Sequence, residues 1–248
     1  MRTFIFIRVD SIMETNTTEE LFDLLARTRP VILEVLEDQG YDTKPYKDQS
    51  PADIISMAMG GQNPLRIRVE ERKGAEAPKK RAQVFYWVFE KVKMSLERRV
   101  GELWDVEQYG DNAADKETDQ AIVILNEPVH DAFHAMAIRQ WQLYKQRIVF
   151  YTLKQLISNP SKHILQPKFR KIPASEPLPL HNATGEPPSS EPPEKNLLRV
   201  KNKKNLPLIK FHVDIMTRIL GLVPDDIVEI MRASPTTGDY KMYRICAI

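Results

Sequence analysis

The sequence predicts an α/β domain in the N-terminal part of the chain and a small α+β domain at its C-terminus. Three observations predict it. Between Leu21 and Ile157, apolar strand-like runs alternate with amphipathic helical patterns, the order that lays helices against a layered sheet. Pro173 to Pro193 then holds seven prolines with Ser, Glu, Gly and Asn between them, a composition that cannot bury a core. From Leu206 to Ile248 the signals become dense again, with strand, helix, glycine stop and hairpin in close order. The expected boundaries are 15–160 for the first domain, 161–171 for a junction, 172–205 for a Pro-rich and basic insertion, and 206–248 for the second domain.

Composition narrows the class. At 248 residues the chain is long enough for two domains, or one large one. Its 42% hydrophobic and 28% charged residues are ordinary for a soluble protein, and a formal net charge of +2 carries no basic excess that would by itself predict nucleic-acid binding. The single cysteine, Cys246, excludes an intramolecular disulfide and a zinc site built on several thiolates, which fits a reducing compartment. The apolar patch Phe4-Ile5-Phe6-Ile7 is too short and interrupted for a signal peptide or a membrane span, and reads as a strand extension.

The first domain opens with Thr17-Thr18-Glu19-Glu20, a cap-like start before the apolar period of Leu21, Phe22, Leu24 and Leu25. That period continues past Pro30 to Leu36 and stops at Gly40, as one long helix or two with a kink. Ser50-Pro51-Ala52-Asp53 caps a helix over Ile54 to Met59, with proline where the first helical turn tolerates it. Leu65 to Val69 alternates as a half-exposed strand, Lys73 to Arg81 is a charged turn, and Val84 to Phe89 is an apolar, central strand. Val92 to Trp104 is an amphipathic helix, Tyr109 to Asp119 a polar loop, and Ala121 to Leu125 a buried strand. Val129 to Tyr144 is a helix, Ile148 to Tyr151 a strand, and Leu153 to Ile157 a short helical turn.

In the second domain a strand is expected near Leu208 to Phe211. A short helix follows over Val213 to Leu220, with Gly221 as its C-terminal stop. Ile227 to Met231 is a β-branched strand. Ser234 to Gly238 is a turn in which Gly238 can take positive φ, and Tyr240 to Ala247 alternates as the return strand of a hairpin.

Several patterns could carry chemistry. His130 and His134 stand four apart, a zinc-protease spacing, but Asp131 occupies the position of the general base and no third ligand follows nearby. An exposed helix start explains them, and no metal is expected. Asp53 with Glu71-Arg72-Lys73 has the carboxylate and Glu-x-Lys spacing of restriction-type nucleases, in which two carboxylates hold Mg²⁺ and the lysine activates water. Asp53, Glu71 and Lys73 therefore define an alternative, nuclease reading. No Gly-rich phosphate loop, Gly-x-Ser-x-Gly elbow or Cys/His pair is evident. Lys79, Lys80 and Arg81 beside Phe85, Tyr86 and Trp87 could touch DNA, although a charged loop entering a core strand explains them equally. The basic run from Lys195 to Lys204 reads as a solvated loop, or as a contact for phosphates or an acidic protein face.

The C-terminal stretch resembles the assembly domain of the fifth subunit of eukaryotic multisubunit RNA polymerases, a family with an archaeal counterpart. That family runs Leu-Pro-x-Ile, Asp-Pro-Val-Ala-Arg-Tyr, Gly, Val-Val-x-Ile-x-Arg-x-Ser-x-Thr-Ala-Gly-x-Tyr, then Tyr-Arg. This chain matches at Leu206, Pro207, Ile209, Asp214, Arg218, Gly221, Val228, Ile230, Arg232, Ser234, Thr236, Gly238, Tyr240, Tyr243 and Arg244. It departs at Ile215, Asp225, Pro235 and Thr237, where the family has Pro, Gly, Glu and Ala. A second, weaker part of the resemblance lies in Gln120 to Ile124 and in His163-Ile164-Leu165-Gln166-Pro167, with Phe169 in place of the family's second junction histidine. Gly40-Tyr41 is similar to a turn in the family's N-terminal region.

The resemblance implies a non-catalytic subunit of a DNA-directed RNA polymerase, without a cofactor of its own. It implies a C-terminal assembly domain docked on the largest subunit through residues drawn from Arg218, Gly221, Arg232, Ser234, Gly238, Tyr240 and Arg244. It also implies an N-terminal jaw domain, nuclease-like in layout without the catalytic set, beside downstream double-stranded DNA and other polymerase subunits. No membrane partner is implied. The departures and the Pro-rich insertion suit the polymerase of a large cytoplasmic DNA virus, with virion and infected-cell cytoplasm as its location. A divergent protist, with a nuclear location, is the other owner.

Overall fold

The apolar runs at Val84, Ile122 and Val149 become three neighbouring parallel strands, and this decides the layout of the first unit. The computed structural model describes residues 18–59, 65–72, 80–105, 114, 119–174, 176, 205–234 and 238–248. The N-terminal patch of residues 1–12, the Lys195–Lys204 run, most of the Pro-rich stretch and most of the Lys73–Arg81 and Tyr109–Asp119 segments lie outside these residues. Two units are separated, Met1–Ser158 and Asn159–Ile248.

The first unit begins with α1 (Thr18–Asp38), one continuous helix with Pro30 inside it. Of the two readings open for Pro30, the unbroken helix is the one found. α2 (Pro51–Met59) follows. Ser50 Oγ accepts from the Asp53 backbone N–H at 3.2 Å, and Asp53 Oδ2 accepts from the Ser50 N–H at 2.9 Å. This reciprocal cap satisfies two backbone donors at the helix start.

β1 (Ile67–Glu70) pairs antiparallel with β2 (Arg81–Trp87). β2 runs parallel to β3 (Asp119–Leu125), which runs parallel to β4 (Ile148–Thr152). The sheet order is β1-β2-β3-β4. Parallel neighbours need long crossovers, and here α3 (Leu96–Glu102) and α4 (Asp131–Tyr144) supply them. Each is shorter than the pattern suggested. The start of the expected Val92–Trp104 helix is a 3₁₀ turn over Lys93–Ser95, because the Glu127 carboxylate accepts the backbone N–H groups of Val92 (2.7 Å) and Lys93 (3.2 Å) and holds the chain there.

The pleat sends alternate residues to opposite faces. Phe85, Trp87, Ala121, Val123, Leu125, Ile148 and Phe150 form one buried cluster with Leu96 and Val100 of α3 and Phe133 and Met136 of α4. Phe133 packs tilted on Phe150 with ring centroids 5.2 Å apart. Tyr86, on the other face of β2, meets Arg29 of α1, whose guanidinium lies 5.9 Å from the ring centroid.

The second unit is a four-stranded sheet of order β5-β7-β8-β6. Its strands are β5 (Lys168–Ile172), β6 (Leu208–Lys210), β7 (Ile227–Ser234) and β8 (Gly238–Ala247). β5 and β8 lie antiparallel to β7, and β6 runs parallel to β8. β5 occupies part of the segment read from sequence as a junction. Its Lys168, Arg170 and Lys171 are exposed, as charges on an edge strand usually are, and they hide the strand pattern.

Between β6 and β7 sits one short helix, α5 (Ile215–Ile219). The Asp214 side chain accepts from the Met216 N–H at 2.8 Å at its start. At its end the Leu222 N–H reaches Thr217 O (2.9 Å), the Gly221 N–H reaches Arg218 O (3.3 Å), and Gly221 has φ 68°. That is a Schellman stop, and it needs the left-handed backbone that glycine adopts without strain. No helix among the described residues is long and apolar enough to cross a membrane.

Candidate protein-docking surface

The hairpin β7–β8 is the longest pair in the second unit, and it outruns its neighbours. β5 pairs with β7 only as far as Met231, and β6 pairs with β8 only over Ile245–Ala247. Arg232–Ser234 and Gly238–Tyr240 therefore form a two-stranded ribbon beyond the rest of the sheet, paired to each other. Arg232 and Tyr240 are direct cross-strand partners. Both are exposed, Tyr240 at 47%. A guanidinium and a phenol side by side offer hydrogen bonds, charge and aromatic surface to a partner. Gly238 holds φ 74° where the return strand begins, with open space around its Cα.

The other residues expected to dock are placed differently. Arg218 is 4% exposed, on α5, and lies in the interior of the unit, since the helix turns it inward with Met216 and Ile219. Gly221 terminates α5 and acts on backbone shape. Arg244 is half-buried, and its Nη1 donates to Leu208 O at 3.1 Å, tying β8 to the edge strand. Ser234 pairs with Gly238 at the hairpin end.

Beneath the ribbon is a polar cluster that sequence reading missed. Glu229 is 6% exposed and is crossed by Arg170 on β5 and Tyr243 on β8, its register partners on either side. Tyr243 Oη donates to Glu229 Oε2 at 2.8 Å, and Arg170 Nε donates to Oε1 at 3.3 Å. Arg170 also forks onto both oxygens of Glu176, at 2.7 and 2.8 Å. Burial pushes the Glu229 carboxyl up. The hydrogen bonds from Arg170 and Tyr243, with the charges of Arg170 and Lys241, outweigh this and hold it below its ordinary value. Burial and the neighbouring Glu229 push the Tyr243 phenol well up. The identities at 170, 229 and 243 were visible in sequence, but only the register puts them in one row.

The chemistry-bearing patterns of the first unit are dispersed. Asp53 Oδ2 takes hydrogen bonds from Ser50 N and Oγ (2.7 Å for the hydroxyl), so the α2 cap occupies the carboxylate of the nuclease alternative. These bonds hold the Asp53 carboxyl below its ordinary value. Glu71 follows β1 in an isolated bridge to Tyr41, and Lys73 lies outside the described residues. Nothing in this arrangement supports a nuclease centre. His130 is the N-cap residue of α4 and His134 lies one turn on. Among the described residues no group of three or more His, Cys, Asp or Glu is placed to hold a metal ion.

Of the DNA-proximal candidates, Lys79 lies outside the described residues and Lys80 is exposed. Arg81 Nε pairs with Asp119 Oδ1 at 2.7 Å, and that carboxylate is fully buried. Gln83 Nε2 donates to the other oxygen, Oδ2, at 2.6 Å. Arg81 thus anchors the start of the parallel sheet, a use the sequence did not reveal.

A search of the curated proteins finds no match. Residues 191–246, which include α5 and nearly all of the hairpin, match the family model described as RNA polymerase Rpb5, C-terminal domain. The match spans 56 of the 248 residues. The C-terminal segment thus carries an Rpb5 C-terminal domain, and this supports reading the chain as an Rpb5-like RNA polymerase subunit.

Proposed function

We propose that the chain is a non-catalytic subunit of a DNA-directed RNA polymerase, docked on the largest subunit through its C-terminal domain. The observation that carries this is the projecting ribbon inside the family-matched segment. Arg232 and Tyr240 are exposed there as cross-strand partners, beyond the reach of the flanking strands. A unit of this size benefits from apolar and polar contacts with a larger body. Of the residues expected to dock, Arg232 and Tyr240 supply surface contacts and Arg244 an edge contact. Arg218, Gly221, Gly238 and Ser234 set the shape that presents them.

The first unit, with helices crossing over a mixed sheet, fits the layered layout of the jaw beside downstream DNA. Its role is to position the duplex through phosphate contacts without reading bases, and Lys79 and Lys80 are the cations assigned to it. The subunit resides with the polymerase: in virion and infected-cell cytoplasm for a viral owner, in the nucleus otherwise.

The test is Arg232→Glu in the full chain, co-expressed with the polymerase and purified through the largest subunit. Recovery of the variant should fall about tenfold or more, as expected for a charge reversal at a central contact. Its circular dichroism should be unchanged. Wild-type recovery of the variant would refute the docking assignment.

A further inference from the structure

We infer that the seam between α3 and α4 is a second docking site, for an acidic amphipathic helix of a partner protein. This goes beyond the polymerase docking surface and does not depend on it. The seam lies on the solvent side of the two crossover helices in the first unit and forms an open groove of about 680 Å³, within the range of ligand-accepting clefts.

Its floor is apolar. Leu96 of α3 and Met136 of α4 are buried beneath it, and Ala132 and Ala135 are exposed along the α4 wall. Met94 stands fully exposed at the lip, on the 3₁₀ turn before α3. A long unbranched thioether in full contact with water gains by being covered, and methionine adapts to varied apolar partners. Ala132, Ala135, Met136 and Arg139 fall at i, i+3, i+4 and i+7, one face of α4 over two turns, so the matching occupant is a helix lying along the seam.

The rim decides the sign of the partner. Lys93, Arg98 and Arg139 line the groove against a single carboxylate, Glu97. Arg139 and Glu97 are ion-paired across the seam with both side chains more than half exposed, a pairing of little energetic weight that can yield to a competing acid. Arg98, mostly exposed, meets the largely covered Glu102 one turn along α3 at 3.7 Å. The groove therefore offers an excess of cations around an apolar floor. That complements a helix with an apolar stripe and Asp or Glu beside it, and disfavours a basic one.

The experiment titrates the full chain against a fluorescein-labelled model helix of about 16 residues, with a Leu/Met stripe and Glu elsewhere. A second peptide keeps the stripe and replaces every Glu by Lys. Anisotropy should saturate with the acidic peptide, and the Lys peptide should bind about tenfold weaker or worse. Met94→Glu, at a fully exposed position, should keep the wild-type circular dichroism and weaken the acidic peptide about tenfold. Ala135→Glu, on the other wall, is the independent second variant and should do the same. The inference is overturned if the acidic peptide fails to saturate, if the Lys peptide binds equally well, or if neither variant changes binding. Sedimentation showing a dimer of the chain that either variant dissociates would assign the groove to a second copy and overturn it too.

Discussion

Arg29 is 2% exposed and is among the largest fully buried side chains of the described residues. A buried guanidinium needs fixed acceptors, and here they are neutral: Nε donates to Gln49 Oε1 at 2.8 Å and Nη1 to Leu65 O at 2.7 Å. The Tyr46 and Tyr86 rings each lie 5.9 Å from it. Burial pushes the Tyr86 phenol up to about 12, and the nearby cation opposes that shift. Arg29→Met should destabilise the chain by about 3 kcal/mol, because two acceptors lose a charged donor. Arg29→Lys should not recover it, since a single ammonium cannot reproduce the fork. Urea midpoints of both variants measure this.

Glu229 gives the second residue-scale expectation. Its carboxyl lies lower in the folded chain than its ordinary 4.5, so the folded state binds the proton less tightly than the unfolded state. The stabilisation is present above pH 4.5 and is lost as pH falls through the lowered folded value. Glu229→Gln should cost about 1–2 kcal/mol near neutral pH. The gap from wild type should close as acid is added below 4.5; a gap independent of pH would contradict the assignment.

Among the elements, α5 depends on its two ends more than on its length, since five residues cannot hold a helix alone. Asp214→Ala removes the N-terminal cap and Gly221→Ala forces a Cβ into φ 68°; each should lower stability by about 1 kcal/mol, read as faster amide exchange in α5. The Asp214 and Gly221 signals were legible in the sequence, because a cap and a stop are local chemistry. The hairpin was legible for the same reason, from its alternation and its turn. β5 was not: an edge strand of Lys, Phe, Arg, Lys and Ile reads as a charged loop until its pairing with β7 is known. The polar row Arg170–Glu229–Tyr243 and the Arg81–Asp119 anchor were hidden likewise, since both join residues brought together only by strand register. Arg218 shows the converse. Its position in a family pattern pointed to the surface, whereas its helix turns it inward.

At the scale of the whole molecule, each unit has its own sheet, and the chemistry of the two differs. The first carries a large apolar core between helices and strands, with Asp53 engaged in a helix cap and Asp119 in a strand anchor. A nuclease built on Asp53, Glu71 and Lys73 would require Mg²⁺-dependent cleavage of DNA that Glu71→Ala abolishes; the expected outcome is no such activity. The second unit buries a cluster of Ile172, Leu206, Ile227, Tyr243 and Ile245 and, on the other face of its sheet, Ile209, Val228, Ile230 and Cys246, and it carries a ribbon that reaches beyond them. A ribbon projecting beyond the flanking strands, in a segment matching the Rpb5 C-terminal domain, makes assembly with other chains the central expectation. The most direct measurement is affinity purification of the full chain from its native setting, followed by mass spectrometry of the intact complex. Recovery with the large subunits of an RNA polymerase at equal stoichiometry is the expected result; recovery as a monomer without polymerase subunits would refute a role in that assembly.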